Sequence, residues 1–225
     1  MTDARANILG RIRRSLGRER PDPDTVARFE ARLAEPRPNL VPARSRVPHA
    51  ERVALFVAMA EAVDATVARV AGLDEVPAAV ADYLAANNRP ADVKMAPDPA
   101  LDAIPWGDRP LLAIRRGRAE DEDRVGVTAA FAGIAETGTL MLISGPATPT
   151  TLNFMPETHV VVLRTSQIVG AYEEAWDRLR RLESLPRTVN FITGPSRTAD
   201  IELTLYMGAH GPRCLHIVLV DDGEA

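Results

Sequence analysis

From residue 48 onward, short apolar runs alternate with stretches of helical periodicity. Apolar positions three and four apart predict helices over about Ala50 to Val63, Val76 to Ala86 and Ile168 to Leu182, with a helical turn near Pro99 to Ile104. Between them stand "TVARVA", "DVKMA", "LLAIR", "HVVVLRT", "TVNFIT" and "CLHIVLV". Runs of this kind suit strands buried on both faces of a sheet. Strands separated by helices imply an α/β domain of three layers, α/β/α, around a mostly parallel sheet. Val125–Thr128, Ala130–Ala135 and Thr139–Ser144 follow one another with no helix between them, so the sheet is expected to be mixed.

The last third ends in "FITGPSRTADIELTLYMGAHGPRCLHIVLVDD", from Phe191 to Asp222. It predicts a strand, a Gly-Pro-Ser-Arg-Thr turn, one helix, a Gly-Pro stop and a second strand. Ser196 or Thr198 is placed to cap that helix, with Asp200 and Glu202 in its first turn. His210, Gly211 and Pro212 read as its end.

Residues 1 to 47 differ from the rest and form a predicted helical arm with a proline-rich connector, ahead of a domain spanning 48 to 225. The arm holds eleven arginines against six acidic residues. Ile8, Leu9, Ile12 and Leu16 recur at helical spacing, and a second short helix is expected from about Asp24 to Ala34. Such an arm packs on its own domain, on a second copy in a homo-oligomer, or on a different subunit.

Composition narrows the function classes. The net charge is -4, and no basic stripe or basic-aromatic motif points to nucleic acid. Lys94 is the only lysine. The single cysteine, Cys214, falls in an apolar strand and reads as a small core residue; one cysteine excludes an internal disulfide and a four-cysteine iron–sulfur site in this chain. The longest uncharged run, Thr137 to Pro156, is broken by prolines and polar residues, so no membrane span is expected. The opening "MTDARANILGRIRRSLGRER" lacks an uninterrupted apolar core, and the expected location is the cytoplasm.

Two segments carry candidate chemistry. Thr193, Gly194, Ser196, Arg197, Thr198 and Asp200 crowd polar groups into eight residues. Backbone N–H groups at a helix start attract anions, and an arginine beside them can clamp a carboxylate or phosphate. The alternative is a well-capped helix with nothing bound. In "GIAETGTLMLISGPATPTTLNFMP", Glu136, Thr137, Gly138 and Thr139 form a turn between two apolar strands, followed by a charge-free stretch suited to lining a pocket. Glu136 is there either a solvated turn residue or a catalytic acid, base or nucleophile. His159 and His216 belong to strands and read as core or edge residues, and His49 opens a helix. No histidine pair has metal-ligand spacing, so no metal site is expected. The run "EDED", Glu120 to Asp123, reads as a solvated loop.

Taken together, "GIAETGTLMLISGPATPTTLNFMPETHVVV" and "FITGPSRTADIELTLYMGAHGPRCLHIVLVDD" resemble the LUD-domain family over roughly residues 50 to 222. The resemblance implies a fold like that of the ribose-phosphate isomerase, glucosamine-phosphate isomerase and CoA-transferase group. It also implies a part in oxidising L-lactate to pyruvate beside partner subunits that carry iron–sulfur clusters. This chain, with no cofactor fingerprint of its own, would then hold a small carboxylate or organise the assembly. Two alternatives stand beside that reading. One is a stand-alone enzyme on a CoA-transferase-like or sugar-phosphate-isomerase-like scaffold with Glu136 as nucleophile; the other is a non-catalytic assembly subunit.

Overall fold

The computed structural model describes residues 4–17, 21–38, 40–198, 206–208 and 210–223. The chain divides into two compact units, Met1–Leu40 and Val41–Ala225. The first carries helices α1 (Ala4–Ser15) and α2 (Pro23–Ala34). Local chemistry fixes the start of α2: Pro23 occupies its first turn, and the Asp22 carboxylate accepts from Thr25 N at 2.8 Å. Arg13 and Arg14 close α1, where the helix dipole favours cations.

In the second unit the helices are α3 (His49–Glu61), α4 (Val76–Ala86), α5 (Pro99–Asp102) and α6 (Tyr172–Arg180). The strands are β1 (Thr66–Val70), β2 (Asp92–Met95), β3 (Ala113–Arg116), β4 (Val125–Ala129), β5 (Ala132–Ile134) and β6 (Thr139–Ile143). They continue with β7 (Thr158–Arg164), β8 (Ile168–Val169), β9 (Val189–Ile192), β10 (Arg197–Thr198), β11 (Tyr206–Met207) and β12 (Cys214–Val220). A six-stranded sheet runs in the order β1-β12-β7-β4-β2-β3, and every pairing in it is parallel. Its central strands, β7 and β12, are the long apolar runs "THVVVLR" and "CLHIVLV", as burial on both faces requires.

Alternate residues of those strands feed two cores. Val160, Val162, Val218 and Val220 meet α4 through Val76, Val80 and Leu84. Val161, Leu163, Ile217 and Leu219 face the opposite way, onto Val53, Phe56 and Ala60 of α3 and onto Leu140 and Leu142 of β6. Each fully buried leucine or isoleucine contributes about 2 kcal/mol relative to exposure. The three helix-free strands do not simply mix the main sheet: β5 and β6 form a second, four-stranded sheet, β8-β5-β6-β9. Its outer face packs on Ala175 and Leu179 of α6.

Four local expectations change. The helix predicted from Ile168 begins at Tyr172, because Ile168 and Val169 pair with β5 and Gly170 lies tight against Ser45 O. The helix predicted after Arg197 does not start there. Arg197 and Thr198 pair antiparallel with Met207 and Tyr206, and Gly208 N donates to Ser196 O at 2.8 Å with Gly208 at φ 76. Asp200 and Glu202 lie outside the described residues. Asp123, read as part of a solvated loop, is buried; its carboxylate meets Arg115 Nη2 at 2.6 Å and Lys94 Nζ at 3.6 Å. Burial alone would raise its pKa, but hydrogen bonds from Glu120 N and Arg115, with the Lys94 charge, hold it below the ordinary value. Cys214 is half-buried, and its Sγ accepts from Arg89 Nη2 at 3.2 Å.

Candidate functional site

The segment after β9 is held by glycine conformation and by the end of α3. Gly194 has φ 73, and a Cβ there would run into Val63 O. The neighbouring Arg197 reaches back to the same place, its Nη2 donating to Val63 O at 2.6 Å and to Asp64 Oδ2 at 2.5 Å. Gly138, at φ 65, is pressed against the backbone of Met59 and Ala60. The two motif turns are thus seated on one short stretch, the last turn of α3 and the residues that leave it.

Side-chain hydroxyls join the turns to each other. Thr139 Oγ1 lies 2.7 Å from Thr137 Oγ1, 2.7 Å from Thr193 Oγ1 and 3.0 Å from Tyr172 Oη. Thr139 is fully buried, so this network replaces the water its hydroxyl would otherwise bind. Glu136 is buried next to it, and its Oε1 accepts from Tyr172 N at 3.3 Å. The carboxylate therefore sits on the free amides at the start of α6, where the helix dipole favours a negative charge.

A cavity of about 260 Å³ opens beside the Thr193–Arg197 segment. Thr193, Gly194, Ser196 and Arg197 form one wall. Asn153 and Phe154, from the charge-free stretch, and His159, Phe191 and His210 supply others. Glu136, Thr137, Gly138, Thr139 and Thr198 are not among its lining residues, though Thr139 touches the wall through Thr193. The cavity lies beyond the carboxyl end of β9. In the six-stranded sheet, however, it lies at the amino ends of β7 and β12, since His159 and Leu215 are the second residues of those strands.

Sequence reasoning gave His159, read as a core or edge residue, as well as His210 and Asn153, no place in the site. The backbone N–H of His210, read as a helix end, donates to Ser196 Oγ at 3.4 Å, and the helix it would close lies largely outside the described residues. His159 is wholly buried, with Nε2 2.8 Å from Thr128 Oγ1. Burial pushes its pKa down to about 3, so its imidazole is neutral at pH 7. The usable signal was a polar residue at the amino end of an otherwise apolar central strand. Among the described residues, no group of three or more His, Cys, Asp or Glu is placed to hold a metal ion.

A parallel α/β sheet backed by a small mixed sheet defines an α/β protein, with a cavity at its strand ends. Residues 53–220 match the LUD domain, and the chain belongs to that family. It is 45% identical over 96 residues to an uncharacterized protein of Neisseria meningitidis, covering 42% of this chain and 41% of the relative. It is 37% identical over 111 residues to lactate utilization protein C of Anoxybacillus flavithermus (47% and 50% of the two chains). It is 36% identical over 106 residues to the protein of the same name from a Geobacillus strain (45% and 44%). The chain thus spans about half the length of the curated relatives it matches. A crystal structure of a DUF162-family protein from Deinococcus radiodurans shares the fold, with a TM-score of 0.58 at 24% identity over 77% of this chain and 99% of that one.

Proposed function

We propose that this chain serves lactate utilization by holding a small carboxylate in the cavity beside Thr193–Arg197, in a cytoplasmic assembly whose partner subunits carry iron–sulfur clusters. The observation that carries this reading is the cavity itself: one wall joins Arg197 to Ser196 and Thr193, within the residues that match the LUD domain. Relatives named lactate utilization protein C point to the acid concerned.

Oxidising lactate to pyruvate releases two electrons and two protons, and side chains alone cannot accept the electrons. Iron–sulfur clusters in partner subunits would accept the electrons, and the two protons would pass to water. This chain supplies position: Arg197 and Ser196 orient the carboxylate, and the rings of Phe154 and Phe191 line the cavity beside the rest of the molecule.

Thermal melting in L-lactate tests the reading. A ligand that binds only the native state raises the melting temperature, by about 2.7 kcal/mol of stability at one hundred times Kd. The wild type should show the rise and Arg197→Ala should lose it. An unchanged melting temperature in L-lactate, together with normal growth on lactate of cells carrying Arg197→Ala, would overturn it.

A further inference from the structure

A second cavity, of about 350 Å³, lies between the start of α3 and α6, and β8 contributes to its lining. Its polar side chains are His49 and Arg52 of α3, Ser166, and Glu174 and Arg178 of α6. In open α/β sheets, ligands settle outside the carboxyl ends of the strands. Ser166 follows β7, and Asp222, which follows β12, accepts from its N at 3.0 Å and from its Oγ at 2.7 Å. This cavity therefore stands at the carboxyl end of the six-stranded sheet, whereas the Thr193–Arg197 cavity stands at the amino ends.

The charge around it leans positive. Arg52 Nη1 lies 3.9 Å from Glu174 Oε2, the outer limit of an ion pair, and the two side chains are 26% and 44% exposed, so solvent reaches both. The terminal nitrogens of Arg178 donate to Gln167 O at 3.0 Å and Ser166 O at 3.2 Å. Those carbonyls fix the guanidinium in place and bring no counter-charge. Burial and the neighbouring Arg181 press its pKa below the ordinary value, and Glu174 offsets them only in part. Asp222 is already matched, with Arg164 Nη1 3.8 Å away and hydrogen bonds from Thr165 and Ser166. Glu174 is thus the one carboxylate of the lining, set against two guanidiniums and an imidazole.

We infer that this cavity takes the phosphate group of a small phosphomonoester between Arg52 and Arg178, as a site separate from the Thr193–Arg197 cavity. The inference does not depend on the carboxylate reading of that cavity. A phosphomonoester carries nearly two negative charges at neutral pH and three acceptor oxygens. Guanidinium forks match such oxygens in pairs. Glu174, the more exposed member of a long ion pair, can turn to solvent and leave both cations to the dianion. The volume falls within the range of small-molecule sites, with room for an organic group beyond the phosphate.

Calorimetric titration of the whole chain with methyl phosphate in a chloride buffer tests this. The wild type should bind saturably, and Arg52→Gln should weaken binding at least about tenfold. Glu174→Gln keeps the length of the side chain and removes the competing charge, so it should tighten binding about threefold. Arg197→Ala, in the other cavity, should bind methyl phosphate as the wild type does. No saturable binding by the wild type would overturn the inference. So would an affinity unchanged in Glu174→Gln, a reading that stands even if Arg52→Gln folds poorly. Loss of binding in Arg197→Ala would place the phosphate in the other cavity and overturn it as well.

Discussion

Arg197 reaches the cavity with its charge already met: Nη2 lies 2.5 Å from Asp64 Oδ2. Asp64 holds a left-handed backbone, φ 64, which asparagine tolerates as well as aspartate. Asp64→Asn should therefore keep the turn and release the guanidinium for an incoming carboxylate. An exposed ion pair is worth up to about 1 kcal/mol, so L-lactate should bind about three- to fivefold more tightly in this variant. Titration calorimetry checks it, and an unchanged or weaker affinity would remove Arg197 as the carboxylate anchor.

Gly138→Ala tests how firmly the first motif turn is seated. Alanine at φ 65 is strained, and its methyl would overlap the backbone of Met59 and Ala60. Backbone cannot step aside as a flexible side chain can. The loss should exceed about 2 kcal/mol, read as a lower urea midpoint.

Asp123→Asn tests the buried charge cluster. Its carboxylate is fully buried between Arg115 and Lys94, whose own side chain is 9% exposed. Removing one member leaves a buried cation without its partner, at a cost of about 3 kcal/mol or more. Chemical denaturation should show that loss, while L-lactate affinity stays unchanged, because the cluster lies outside the cavity lining.

Acid should weaken the fold well above the carboxylate range. Burial holds His159 down to about 3 and His216 to about 4, against an ordinary value of 6.5. With folded values below unfolded ones, the unfolded chain binds more protons across that interval, so stability is complete above pH 6.5 and falls as pH drops. At pH 5 each histidine accounts for a loss of about 2 kcal/mol. His216 stacks on Tyr83 with ring centroids 3.7 Å apart, which His216→Phe preserves. Urea midpoints at pH 7.5 and pH 5 should differ about half as much in that variant as in the wild type.

The strands of the main sheet were legible in the sequence because burial on both faces leaves unbroken apolar runs, as in β7 and β12. Most of the helix read after Arg197, residues 199–205, lies outside the described residues; at its two edges Arg197–Thr198 and Tyr206–Met207 pair with each other as strands. The wall at Thr193–Arg197 was visible as a density of polar residues. Its opposite side was not, because Asn153, His159 and His210 come together only through pairings of β12 with β7 and of β10 with β11. Asp123 was hidden in the same way, its partner Lys94 lying a whole strand away in the chain.

The close seating of Gly138 on Met59 and Ala60, and of Gly194 and Arg197 on Val63 and Asp64, bears on transplanting this cavity into another α/β scaffold. Residues 59–64 touch both motif turns while contributing nothing to the cavity lining itself. A graft of the visible wall alone would arrive without its footing. The portable unit is the wall together with the end of α3, and one residue inserted into that stretch would shift both turns at once.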